Sequence, residues 1–92
     1  MPAANYRDTA FIFDFRRREF LKYTRVEPDG RRISYWTPSM RYAKLYKNPS
    51  NAQRMARLLN LTAEGQPCQA VSSAAAECLD MINQRGNIRK GD

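Results

Sequence analysis

The sequence predicts an α+β domain: a three- to four-stranded antiparallel sheet packed on one face by two helices, in the order β-β-β-(β)-α-(β)-α. Three observations carry this expectation. Residues 9–37 alternate apolar and polar side chains in three runs separated by turn chemistry. Asn48-Pro49 then opens an apolar stripe of helical period, and Ser72-Ser73 opens a second. Period-two runs bury one sheet face and period-3.6 runs bury one helix stripe. Strands followed by helices therefore place the helices on one face and leave the other to water.

The elements follow in order. Thr9–Arg16 is the first strand, with Phe11, Phe13 and Phe15 on one side and Ala10, Ile12, Asp14 and Arg16 on the other. Arg17–Glu19 is its turn and Phe20–Val26 the second strand. Glu27-Pro28-Asp29-Gly30 reverses the chain, because proline presets φ and glycine supplies positive φ. Arg31–Thr37 completes an antiparallel meander, which Pro38 ends. Met40–Tyr46 alternates again and reads either as a short edge strand or as an irregular ascent. Asn48 caps a helix with Pro49 at its first position, and Ala52, Met55, Ala56 and Leu59 form its apolar stripe. Asn60–Pro67 is a loop and Cys68–Ser72 a last short strand. Ser72 or Ser73 caps a second helix that runs to about Arg85 and stops at Gly86, with Ala75, Cys78, Leu79 and Ile82 as its stripe. Met1–Arg7 and the polar tail Asn87–Asp92 are expected to fray. The expected core is Phe11, Phe13, Phe15, Leu21, Tyr23, Ile33, Tyr35, Leu45, Met55, Leu59, Val71, Leu79 and Ile82.

Ninety-two residues make one basic domain, 1–92, and 42% hydrophobic residues suffice for a core without staples. The two cysteines, Cys68 and Cys78, match no metal spacing and form no disulfide framework. They read as small apolar residues in a reducing compartment. The chain has no histidine, so neither a metal nor another cofactor is expected. Arg7 and Asp8 interrupt any secretory segment, and the longest apolar run is Ala10–Phe13. The expectation is a cytoplasmic protein with no membrane and no small-molecule substrate.

Charge supplies the functional lead. Residues 1–60 hold 13 of the 16 Lys+Arg and 5 of the 9 Asp+Glu, a net of +8 from the difference of 13 and 5. Twelve of the 16 cations are arginine. Arginine offers a planar fork of donors that grips phosphate or carboxylate twice and stacks on flat rings, so an Arg-rich surface is expected to meet a polyanion or an acidic protein. The candidate partner-binding residues are Arg16, Arg17, Arg18, Lys22, Arg31, Arg32, Trp36, Arg54 and Arg57. Arg17 and Arg18 lie in one turn and Arg31 just after another, at opposite ends of the meander, so they are placed to bracket a long ligand such as a nucleic-acid backbone. If the three phenylalanines face the helices, the open sheet face holds Asp14, Arg16, Lys22, Thr24, Arg32, Ser34 and Trp36. Cations beside an aromatic on a sheet face suit RNA bases or a duplex backbone. A generic solvated face is the plain alternative, and Trp36, at a strand end beside Pro38, reads more readily as a core anchor under the loop that follows it.

Enzymatic readings are poorly supported. The commonest general base is missing, neither cysteine has a histidine partner, and glycines 30, 65, 86 and 91 form no phosphate loop. Among enzymes, only a small basic ribonuclease working with Arg, Lys and Tyr survives, and the usual layout of that class starts with helices.

Residues 11–59 resemble small bacteriophage and prophage proteins in which a β meander with an aromatic–Leu pair runs into W…A-x-x-[FY]…A and a helix. Here these are Phe20-Leu21, Trp36, Ala43-Lys44-Leu45-Tyr46 and Ala52, spanning about half the chain. The resemblance implies a phage origin. Small phage proteins of this size include anti-CRISPR proteins, which look like compact α+β domains without enzyme motifs. Many of those are acidic DNA mimics, and this chain departs from them at +7. The expected function is a non-enzymatic inhibitor of a host nucleoprotein machine, an anti-CRISPR that contacts guide RNA and Cas subunits and sterically blocks target DNA. The alternative is a DNA-binding module built from a three-stranded sheet and a helix, similar to the arm-binding domains of phage integrases.

Overall fold

The computed structural model describes residues 9–62 and 68–90. Its strands are β1 (Ala10–Asp14), β2 (Glu19–Val26), β3 (Arg32–Thr37) and β4 (Cys68–Ser72). Its helices are α1 (Pro49–Thr62) and α2 (Ser73–Lys90), with a 3-10 turn at Met40–Tyr42. The strands form one antiparallel sheet in the order β3-β2-β1-β4. The α+β class and the element order are those the sequence predicts. No helix among the described residues is long and apolar enough to cross a membrane.

The helices divide between the two sheet faces, which corrects the expectation that both would pack on one. Ala10, Ile12 and Leu21 join Ala52, Ala56 and Leu59 of α1 in one cluster. Phe11, Phe13 and Phe20 join Ala76 of α2 in another, with Leu79 packed against it. Successive side chains of a strand point to opposite faces, so these clusters lie on opposite sides of β1. The cause is in β1 itself: all five of its residues are buried, and a strand apolar on both faces needs a cover on each.

Register explains the remaining departures. Phe13 lies opposite Phe20, so Phe20 and not Leu21 shares the face of the three phenylalanines. The β2–β3 register then shifts between Leu21 and Tyr23, making Lys22 the extra residue of a bulge. After it, Tyr23 faces Tyr35, Thr24 faces Ser34, Arg25 faces Ile33 and Val26 faces Arg32. Only Phe13–Phe20 and Asp14–Glu19 pair between β1 and β2. Beyond them the chain after the 3-10 turn is wedged between the two strands. Lys44 N donates to Leu21 O at 2.9 Å, and Ala10 and Tyr46 exchange backbone hydrogen bonds of 2.9 and 2.8 Å. Met40–Tyr46 is therefore a turn and a single bridge rather than an edge strand.

The wedge splits the molecule into two halves. Helix α1 packs on β4 and β1, and α2 packs on β1, β4 and the 3-10 turn. Past the bulge, β2 and β3 leave the helices behind and continue as a two-stranded arm. Tyr23 is thus exposed, as are Phe15 in the β1–β2 turn, Leu45 in the wedge and Ile82 on α2, all four expected in the core. Phe20, Ile12 and Ala10 take buried places instead.

Helix ends follow local chemistry. Ser50 N donates to Asn48 Oδ1 at 2.9 Å, the cap expected ahead of Pro49. Asn60, expected in a loop, is still helical, and its side chain clasps the first residue of β4. Its Nδ2 donates to Cys68 O at 2.9 Å, and its Oδ1 accepts from Cys68 N at 3.1 Å. Ser72 Oγ accepts from Ala75 N at 3.1 Å and so caps α2. That helix passes through Gly86 to Lys90, beyond the expected stop. The Met1–Arg7 lead-in lies outside the described residues.

Candidate nucleic-acid interface

The arm presents two faces. The first continues the α1 side of the sheet and carries Thr24, Val26, Arg32, Ser34 and Trp36, since Leu21 pairs Trp36 and the later pairs alternate from there. Four of the seven residues expected on one open face, Thr24, Arg32, Ser34 and Trp36, thus lie together. Arg32 donates from Nη1 to Thr24 Oγ1 at 3.0 Å, which fixes its stem along the strand pair. The Arg17 guanidinium sits over the Trp36 ring, 5.6 Å from its centroid. Trp36 is half-buried against the α1 cluster and offers its remaining surface to Arg17, so it serves as anchor and platform together. Lys44 stands 5.3 Å from the centroid of the Tyr46 ring on the same side. Burial raises the Tyr46 pKa, and the nearby Arg32 opposes that shift.

Arg17 is held in place from beneath. Asp14 is fully buried on the α1 face, which corrects its expected place on an open surface. Its Oδ1 accepts from the amides of Arg16 and Arg17 at 2.9 and 3.1 Å. Its Oδ2 makes no hydrogen bond and faces Arg17 Nε at 3.5 Å. One carboxylate therefore orders the β1–β2 turn and anchors the cation that covers Trp36. Replacing Asp14 with alanine removes both functions and should cost about 2–3 kcal/mol, with Asp14→Asn costing less because an amide oxygen still serves the turn. Urea unfolding of the two variants checks this. Equal losses of under about 0.5 kcal/mol would show that the buried charge is not engaged.

The second arm face is aromatic. Tyr23 and Tyr35 stack with centroids 4.5 Å apart and planes at 20°. Arg25 lies 5.9 Å from the Tyr35 centroid and donates from Nε to Glu27 Oε2 at 2.8 Å. The site residues selected from sequence include none of Tyr23, Tyr35, Arg25 and Lys44. Three of them were within reach of it: counting back equally from the Pro28-Asp29-Gly30 turn sets Tyr23 against Tyr35 and puts Arg25 on their face.

The other sequence-selected cations are dispersed. Arg31 is tied inside the β2–β3 turn, donating to Asp29 from its amide at 3.0 Å and from Nε at 2.7 Å, and these bonds lower the Asp29 pKa. Lys22 is the exposed bulge residue beside the arm. Arg16 and Arg18 are exposed in the β1–β2 turn. Arg54 and Arg57 lie on the exposed side of α1, away from its packed stripe. The structure thus gathers Arg17, Arg32 and Trp36 on one surface and leaves Arg54 and Arg57 outside it. Trp36 and Arg32 are four residues apart on β3, so their backbones are about 13 Å apart at ~3.3 Å per residue, and Arg32 leans back along the strand pair to reach Thr24, which lies opposite Ser34.

Cys68 is buried against α1, and its thiol is pushed up to about 11, by burial first and by the Asp14 carboxylate second. Such a thiol stays protonated at neutral pH and is no nucleophile there. No three acidic or cysteine side chains among the described residues gather in a way that could hold a metal ion. No family model, curated protein or solved structure matches the chain.

Proposed function

We propose that this chain is a non-enzymatic, phage-type binding protein that inhibits a host nucleoprotein machine by gripping its nucleic acid with the β2–β3 arm. In the form that the sequence resemblance suggests, it is an anti-CRISPR that contacts guide RNA and Cas subunits. The observation that carries the reading is the pairing of Arg17 over Trp36 with Arg32 braced on Thr24, on one uncovered sheet face. Two guanidinium groups spaced along one strand face can hold two phosphates of one strand. A base can stack on the Arg17 guanidinium plane or displace it from the indole face. A small domain seated on the guide strand would occupy the path of the pairing target, so inhibition is steric and stoichiometric.

Salt tests this reading. With Arg17, Arg32, Lys44 and Lys22 each neutralising one single-strand phosphate, log K should fall against log salt with a slope of about −3, at ~−0.7 per contact. The measurement is a titration of purified ribonucleoprotein over a range of salt, beside a lysate capture with and without nuclease. An affinity indifferent to salt, with capture unaffected by nuclease, would show that an apolar protein contact carries binding. The bare two-stranded arm also favours a second reading, because B-DNA's major groove admits a two-stranded ribbon. Tighter binding to a repeated or palindromic duplex than to any ribonucleoprotein would select it.

A further inference from the structure

The side of the sheet opposite the Arg17–Trp36 surface holds a pocket that the nucleic-acid reading does not use. Its volume is about 270 Å³, and Phe13, Phe15, Arg18, Leu79, Ile82 and Asn83 line it. It lies where the β1–β2 turn meets α2. Phe13 is buried and closes the inner wall, and Phe15 meets it edge-on at 4.9 Å. Phe15 and Ile82 are 45% and 55% exposed, so two large apolar groups stand at the opening with nothing over them.

The rim is built and rigid. Asn83 Nδ2 donates to Arg18 O at 2.8 Å and to Pro38 O at 3.0 Å, which joins the turn, the end of β3 and the helix at one side chain. Arg18 N donates to Asp14 O at 2.7 Å. Arg18 itself sits at φ 59°, a left-handed conformation that glycine or asparagine adopts more readily than arginine. A long cation is thus kept where the backbone disfavours it. Its guanidinium has no ion-pair or hydrogen-bond partner among the described residues. Arg16 shares the turn, and Arg85 lies one helical turn beyond Ile82. The nearest acid along α2, Asp80, is engaged by Met40 N at 2.9 Å and by Gln84 Nε2 at 2.8 Å. The opening is therefore apolar and its free charge positive.

We infer that this pocket docks an acidic segment of a partner protein, with one aromatic or branched apolar side chain inserted between Phe15 and Ile82 and a neighbouring carboxylate on Arg18. Size supports a single side chain: small-molecule sites occupy roughly 300–1,000 Å³, whereas a cavity of about 150 Å³ already accepts one benzene ring. Charge supports an acidic one, because an unpaired guanidinium at an apolar rim pairs a carboxylate bidentately. The site faces away from the nucleic-acid surface, so one molecule can hold both components of a nucleoprotein.

The test uses the full chain and synthetic acidic nonapeptides with one Phe, Leu or Trp among Asp and Glu residues, beside matched peptides in which Gln and Asn replace the acids. Amide NMR titration should show saturable shifts at Phe15, Arg18, Leu79, Ile82 and the Asn83 side chain. The neutral peptides should bind about tenfold more weakly, the value of one charge-assisted contact. Ile82→Asp should abolish the shifts. Arg18→Gly should weaken binding about tenfold while raising the melting temperature, because glycine relieves the left-handed backbone. That opposite movement separates a docking role from a structural one. Equal affinity for acidic and neutral peptides, unchanged affinity in Arg18→Gly, or the same shifts produced by a single-stranded oligonucleotide would each overturn the proposal. Nucleic-acid binding read at Trp36 is a separate measurement and stands or falls without it.

Discussion

Phe20→Ala should destabilise the fold by about 4 kcal/mol, the largest loss expected of any single substitution in this chain. Phe20 is fully buried, edge-on to Phe13 at 4.8 Å and to Phe11 at 6.1 Å. Truncation removes a ring from the centre of the α2-side cluster, and the surrounding strands are too constrained by the wedge at Lys44–Tyr46 to collapse into the space. For a domain of this size, about 4 kcal/mol is a large part of a total stability of roughly 5–15 kcal/mol. The comparison is Phe15→Ala, two residues along from Phe13 and half exposed, which should cost about 1 kcal/mol or less. Chemical denaturation of both variants ranks them. Near-equal losses would mean that Phe20 is not the residue opposite Phe13 and that the β1–β2 register is different.

The largest effect on partner binding should come from Arg17 and Arg32 together. Each is expected to contribute about 1.5–3 kcal/mol if it meets a phosphate, so the Arg17→Ala, Arg32→Ala double variant should bind at least a hundredfold more weakly. Folding must be followed in parallel, because the two positions differ. Arg32 braces on the partly exposed Thr24 and should fold normally as alanine. Arg17 also faces Asp14 Oδ2, so Arg17→Ala should cost about 1 kcal/mol of stability. Arg17→Lys restores charge over Asp14 but not the planar fork over Trp36, and it should recover stability while leaving binding weak. Arg54→Ala and Arg57→Ala, on the far side of α1, should change neither. Binding lost at those two positions and kept at Arg17 and Arg32 would move the interface to the helix.

Much of this fold could be read from local pattern, and the failures have one origin. The Asn48-Pro49 helix start, the Pro28-Asp29-Gly30 reversal and the Cys68–Ser72 strand depend on residues adjacent in sequence, and each stands where expected. What local pattern does not contain is pairing between strands. Phe20-Leu21 offers two apolar neighbours, and nothing in the pair tells which one joins Phe13. The bulge at Lys22 then restores the phase, so the Tyr23–Tyr35 face and the Arg32–Trp36 face agree with a simple alternation that the first half of β2 breaks. Asp14 misled for a related reason. A carboxylate in an alternating strand suggests solvent, but here it closes the turn that follows it, and that function requires burial. Of the candidate interface, Arg17, Arg32 and Trp36 were legible as types and positions. That Arg18 points its turn toward α2 while Arg17 covers Trp36 depends on the left-handed backbone at Arg18, which arginine in sequence does not announce.

The wedge that parts β1 from β2 has a consequence for descent as well as for shape. Beyond Lys22 the arm packs closely on neither helix, Trp36 at its base excepted, while the buried residues of the two clusters lie on the other side of the wedge or at its edge. Substitutions at Tyr23–Tyr35 can therefore accumulate without touching what keeps the chain folded. A lineage pressed to change its partner could exchange the tip of this ribbon repeatedly and keep the same hub of β1, β4 and two helices. Variation among descendants of this chain is then expected to concentrate in Tyr23–Tyr35, 13 of its 92 residues, with the hub drifting slowly behind it.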